Sequence, residues 1–213
     1  MTVPGTFDTS ARELIHAGLQ NLDEARSLFR QLSASGFDAA RCGLLLDALQ
    51  HVCDPDVALR NLVDIVNAQV SQGRALDDIM PDDTAFRQLV AVLGVSDAMG
   101  KLMRFRPDLV QAAATDHCNS HLYNHDQRRA HVLESVGADP NDRMSPTATM
   151  DLADAATALR RTYRNQLAAI IAQDTMSDDP IALQPRISSE LSDLADAALE
   201  GALAIARHEI AGS

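Results

Sequence analysis

The stretch Leu152-Ala-Asp-Ala-Ala-Thr-Ala-Leu159-Arg-Arg-Thr-Tyr163-Arg-Asn-Gln-Leu167-Ala-Ala-Ile170 decides the fold. Leu152, Ala156, Leu159, Tyr163, Leu167 and Ile170 advance by four, three, four, four and three positions. That spacing lines them up on one side of an α-helix. Further on, Ile187, Leu191, Leu194, Ala198, Ala202 and Ile205 repeat the same kind of spacing. Two long amphipathic helices are therefore expected at this end of the chain.

Working back from them, the punctuation is helical throughout. Ser10-Ala-Arg-Glu13 forms a capping box, and Asn21 or Asp23 caps a second helix that runs to Ser35-Gly36. Phe37-Asp38 opens a segment with Leu44, Leu45, Leu46 and Leu49 on its buried side, ending near Cys53. Asp54-Pro55 marks another start, with Asp as N-cap and Pro at the first helical position, where its missing N–H costs nothing. Val57, Leu59, Leu62, Ile65, Val66 and Val70 then trace a helix stopped by Gly73. The acidic stretch from Asp77 to Asp83 reads as a connection, and Phe86 to Leu93 as a helix closed by Gly94. Ser96 caps the next helix, which Arg106-Pro107 breaks; residues 114–148 are the least regular part. No stretch alternates with period two for long enough to predict a strand. The expected architecture is all-α, roughly eight to ten helices in a bundle or irregular array without a substantial sheet. Shorter helices occupy 1–148 and the two long ones 149–213, together one compact unit.

Composition supports this and narrows the function. Of 213 residues 46% are hydrophobic but only 3% aromatic, so the core is built from Leu, Ala, Val and Ile. Eighteen Lys and Arg stand against thirty Asp and Glu, a net charge of −12, which repels a phosphate backbone and disfavours nucleic acid as a partner. No apolar stretch approaches the roughly 20 residues that span a bilayer, and the first residues show neither the basic region nor the apolar core of a signal peptide. Cys42, Cys53 and Cys118 cannot all pair within one chain. Cys42 and Cys53 read as lying in one helix, on the order of 16 Å apart and beyond disulfide reach. Reduced thiols and a pI near 4.8 fit the cytoplasm.

Three constellations could carry chemistry. His117, His121 and His125 recur every four residues beside Cys118, a spacing that on a helix lines up zinc-type ligands; the same residues also read as a polar surface segment. Met99-Gly-Lys-Leu102 echoes a phosphate loop, but Met99, Leu102 and Met103 fall at core spacing and read as helix packing. Arg160, Arg161 and Arg164 form a basic island in an acidic chain. They could grip a phosphate or carboxylate, or pair with Glu190, Asp193 or Asp196 on the final helix. Asp174, near a helix C-terminus, opposes the macrodipole and calls for a partner or a functional reason. No Ser/His/Asp or Cys/His set suggests catalysis.

Three segments resemble the bacterial glutamine-synthetase adenylyltransferase family, whose bifunctional members attach AMP to glutamine synthetase and remove it. They are Asp54-Pro-Asp-Val-Ala-Leu59, then Leu93-Gly-Val-Ser96 with Met99-Gly-Lys-Leu-Met-Arg104 and Pro107, and finally Leu159-Arg-Arg-Thr-Tyr-Arg164. The last continues through Ile170-Ile-Ala-Gln-Asp174 to Leu191-Ser-Asp-Leu-Ala-Asp-Ala-Ala-Leu199. The chain is similar to the N-terminal helical region of that family, over roughly residues 50 to 206. It departs where the family pattern is richer in Arg, at Asn165, Ala169 and Gln173. The resemblance implies a parent nucleotidyltransferase that uses ATP and Mg and takes part in nitrogen regulation. Its implied partners are glutamine synthetase, the enzyme's own catalytic domain and a nitrogen signal protein. The family's Gly-rich turn and D-x-D pair have no counterpart, since Pro55 sets Asp54-Pro-Asp56 at a helix start. The segment is expected to be inactive by itself, with Arg160, Arg161, Arg164 and Asp174 at a domain junction or an anionic group. The alternative reading is a stand-alone acidic helical interaction module.

Overall fold

A computed structural model describes residues 9–80, 82–114, 123–177 and 179–211. Among them are ten helices of six residues or more, one single-turn helix, and no strand. In chain order they are α1 (Ala11–His16), α2 (Leu22–Ala34), α3 (Ala39–Leu49), α4 (Pro55–Ser71), α5 (Leu76–Ile79), α6 (Asp83–Val95), α7 (Asp97–Met103), α8 (Pro107–Ala114), α9 (His125–Ser135), α10 (Leu152–Thr175) and α11 (Pro180–Ala211). The all-α expectation holds.

The chain divides into two compact units, residues 1–116 and 117–213. This differs from the expected division after residue 148. The reason is α9, which lies in the stretch read as irregular yet packs on both α10 and α11.

In the first unit α4 is the central element, packed on α2, α6 and α7. Asp54 caps it as expected, its side chain accepting from Val57 N at 3.0 Å, with Pro55 in the first turn. Leu59, Leu62 and Ile65 of α4 are fully buried, as are Leu89 and Leu93 of α6. The capping box of Ser10 and Glu13 and the Asn21 cap also form. Gly94 does not close α6, which runs on to Val95. A Cβ there would stand 2.9 Å from Val52 Cβ and 3.3 Å from the Asp54 carbonyl oxygen, so this glycine permits a close approach. Cys53 lies beyond the end of α3, not in one helix with Cys42. Both thiols are free, Cys42 buried and Cys53 exposed. Burial pushes the Cys42 thiol up and Asp38 raises it further, while the nearby Ser33 side chain partly offsets this.

The second unit is a three-helix assembly. Asn124 and Gln127 cap α9 reciprocally. Asp151 caps α10, accepting from Asp154 N at 3.0 Å. One apolar cluster joins Leu133, Val136, Ala155, Ala204 and Ile205 across all three helices, and another joins Ile170, Ile187 and Leu194. Helix α11 buries Ile187, Glu190, Leu194, Ala197, Gly201 and Ala204, in steps of three, four, three, four and three. At Gly201 an added Cβ would stand 2.8 Å from Val132 and 3.0 Å from Leu159, so the three helices meet closely there. The expected core stripes are only partly buried. Leu152, Tyr163, Leu191 and Ala202 are exposed, because the side of each helix that faces its neighbours is narrower than its apolar surface.

The connection from α9 to α10 is ordered by specific bonds. Gly137 adopts φ +75°, and the Thr149 hydroxyl donates to its carbonyl at 2.9 Å. Asp142 accepts from Met144 N and Ser145 N at 2.9 and 3.0 Å, and these bonds hold its carboxyl below the ordinary aspartate range. Ala148 N donates to the Ala204 carbonyl at 3.0 Å, fixing the connection to α11.

Candidate functional site

The second unit holds the residues singled out on α10, together with a polar network that the sequence did not reveal. Arg160 and Arg161 are exposed, and Arg164 is half-buried one turn after Arg160. Helical geometry sets Arg160 and Arg164 on one flank. Among the described residues neither makes an ion pair with Glu190, Asp193 or Asp196. Two of those acids are engaged from the other side: Glu190 binds Arg128, and Asp193 accepts from His125 Nδ1 at 3.0 Å. Arg161 is exposed and is not without a partner. Asp174 is exposed in the last turn of α10, and among the described residues it makes no ion pair, so the expected partner is not found there.

The network comes from α9. Arg128 is 1% exposed, donates from Nη1 to Gln166 Oε1 at 2.7 Å, and from Nη2 to Glu190 Oε2. One guanidinium thus ties α9 to α10 and α11 at once. Its neighbour Arg129 clasps Glu200 with two bonds of 2.7 Å. It also donates to the carbonyls of Pro140 and Asp142 at 2.6 and 2.8 Å, so α9, α11 and the connection share one cation. Arg128 Nε and Gln166 Nε2 are buried with no partner. The one sequence signal for this network is the Asn124-x-x-Gln127 capping box immediately before the Arg pair.

The remaining candidates fall as follows. His117 and His121, with Cys118, lie outside the described residues; His125 begins α9 and faces Asp193. Among the described residues no three His, Cys, Asp or Glu side chains stand together as a metal site. Asp54 and Asp56 do not fit a magnesium-binding pair: Asp54 caps α4, and Asp56 accepts from Gln20 N and Asn21 N at 3.0 and 3.3 Å. Met99 and Gly100 are buried in α7, where a Cβ at Gly100 would collide with Asn61, and Lys101 pairs with Asp97 at 2.7 Å. That segment packs and does not cradle phosphate. No helix among the described residues is long and apolar enough to cross a membrane.

Comparison with known proteins places this architecture. No family model matches the chain, and no solved structure matches it. It is 65% identical over 207 residues to the bifunctional glutamine synthetase adenylyltransferase/adenylyl-removing enzyme of Bifidobacterium longum (strain DJO10A), covering 97% of this chain and 19% of that protein. The like-named enzyme of Leifsonia xyli subsp. xyli is 31% identical over 201 residues, covering 94% of this chain and 19% of that protein. That of Streptomyces avermitilis is 30% identical over 212 residues, again 97% and 19%. The chain thus spans about a fifth of the length of the curated relatives it matches. Over nearly all of its residues it is a homologue of one segment of the bifunctional glutamine synthetase adenylyltransferase/adenylyl-removing enzymes.

Proposed function

We propose that this chain is a helical docking segment of an enzyme that attaches adenylyl groups to glutamine synthetase and removes them, and that it supplies none of the nucleotidyl-transfer chemistry itself. The match along almost its whole length to those enzymes carries this reading. In support, the carboxylates at Asp54 and Asp56 are committed to capping and to a chain crossing. ATP and Mg are then bound elsewhere in the enzyme, which works in nitrogen regulation and answers to a nitrogen signal protein. The free thiols of Cys42 and Cys53 fit a reducing cytoplasm.

Arg160 and Arg164 are the residues assigned to the substrate protein. Two guanidinium groups on one flank, one exposed and one half-buried, with no described carboxylate of their own unit paired to them, suit an acidic or phosphate-bearing surface. Titrating the purified chain into adenylylated and into unmodified glutamine synthetase by calorimetry should show preferential binding of one form. Arg160→Ala with Arg164→Ala should weaken it about tenfold, the scale of one charge-assisted hydrogen bond. Absence of heat with both forms would contradict the docking role.

A further inference from the structure

Helix α11 carries a second apolar face that no described residue of its unit covers. Leu191, Ala195, Leu199, Ala202, Ala206 and Ile210 advance by four, four, three, four and four residues, and all are exposed. Leu199 is 66% and Ile210 78% exposed, and Leu203 at 53% widens the strip. They adjoin the buried series of Ile187, Leu194, Ala197 and Ala204 and carry the apolar surface round onto a second, exposed side of the helix. Of thirteen large apolar side chains exposed among the described residues, five belong to this one helix, which marks a covered surface and not scattered exposure.

The occupant can be chosen on size, charge and tether. From Leu191 to Ile210 the strip is about 30 Å long and roughly 10 Å wide. It therefore offers on the order of 300 Å², well below the roughly 800 Å² per partner of a stable interface between free proteins. A second copy would also bring together two chains of net charge −12. A tethered helix escapes both limits, because its effective concentration replaces the entropy cost of association. The relatives carry about four-fifths of their length outside the matched segment.

We infer that this face of α11 seats an apolar-striped helix from the remaining polypeptide of the enzyme, lying along Leu191 to Ile210. The inference rests on the functional reading above, in which the chain works as part of the longer enzyme. The test grafts this chain in place of the matching segment of the Bifidobacterium longum enzyme. With Cys42, Cys53 and Cys118 replaced, Ala202→Cys reports on the face, and Ala153→Cys on exposed α10 serves as control.

Alkylation of Cys introduced at 202 should be at least tenfold slower in the graft than in the chain alone, with the control unchanged. Equal rates in both would overturn the inference. So would protection that grows with concentration of the chain alone, which would assign the face to a second copy. Adenylyl transfer and removal by the graft are measured alongside. An active graft with an accessible position 202 rejects the seating and keeps the functional reading; a protected position in a graft without activity does the reverse.

Discussion

Arg128 of α9 and Glu190 of α11 form an ion pair whose side chains are 1% and 11% exposed, beside a core of aliphatic residues. Charge in such a place is costly unless paired, and Gln166 supplies the second acceptor at 2.7 Å. The pair, together with the Arg129–Glu200 clasp and the buried Val132 and Leu133, commits polar α9 to α10 and α11.

Removing one partner leaves the other buried and unpaired. Arg128→Ala should destabilise the chain by about 3–5 kcal/mol. Replacing both, with Arg128→Met and Glu190→Leu, should recover most of that loss, because an apolar substitute of similar volume is close to neutral. Urea unfolding followed by helical circular dichroism distinguishes the two. A single variant as stable as the parent would show that the pair does not hold α9.

The pair also shows where sequence reading stopped. The long helices were legible because their apolar residues recur over about five turns, and the caps at Ser10, Asn21, Asp54 and Ser96 because each is a capping residue type directly before apolar residues at helical spacing. Helix α9 has almost no apolar period, so its His-Asp-Gln-Arg-Arg start read as irregular surface. The Arg160 group was visible as a charge island, but two of its three expected partners on α11 were taken: α9 had engaged Glu190 and Asp193 from the opposite side. The helix spacing of Leu191 and Ala202 was right, but spacing alone does not say which of two apolar faces is buried.

Gly137 is required by both its φ of +75° and its neighbours, since an added Cβ would meet Thr149 Oγ1 at 2.3 Å. Gly137→Ala should cost about 1–3 kcal/mol through the left-handed backbone and should displace the Thr149 hydroxyl from its bond. Thermal unfolding reads the cost. Gly73→Ala shares the positive φ but has nothing within 4 Å, so it should cost less.

The two described thiols should differ sharply in reactivity. Cys42 is buried with its thiol pushed up, while Cys53 is exposed. At neutral pH the folded chain should alkylate at Cys53 well before Cys42, and denaturant should abolish the difference. The sign follows from the raised Cys42 value: its thiolate forms only at higher pH, so raising the pH should speed alkylation at Cys42 later than at an ordinary thiol. Peptide mapping by mass spectrometry gives both rates in one experiment, and equal rates in the folded chain would contradict the described burial.

The central claim is that this chain serves an adenylyl-transfer enzyme as a helical segment without supplying the chemistry. The most direct measurement is the rate of adenylyl transfer to and removal from glutamine synthetase by the Bifidobacterium longum enzyme carrying this chain in place of its own matching segment. At 65% identity over that segment, the account predicts both rates within about threefold of the parent enzyme, and no transfer by the 213-residue chain alone. A folded graft inactive in both directions, or transfer by the isolated chain, would contradict it.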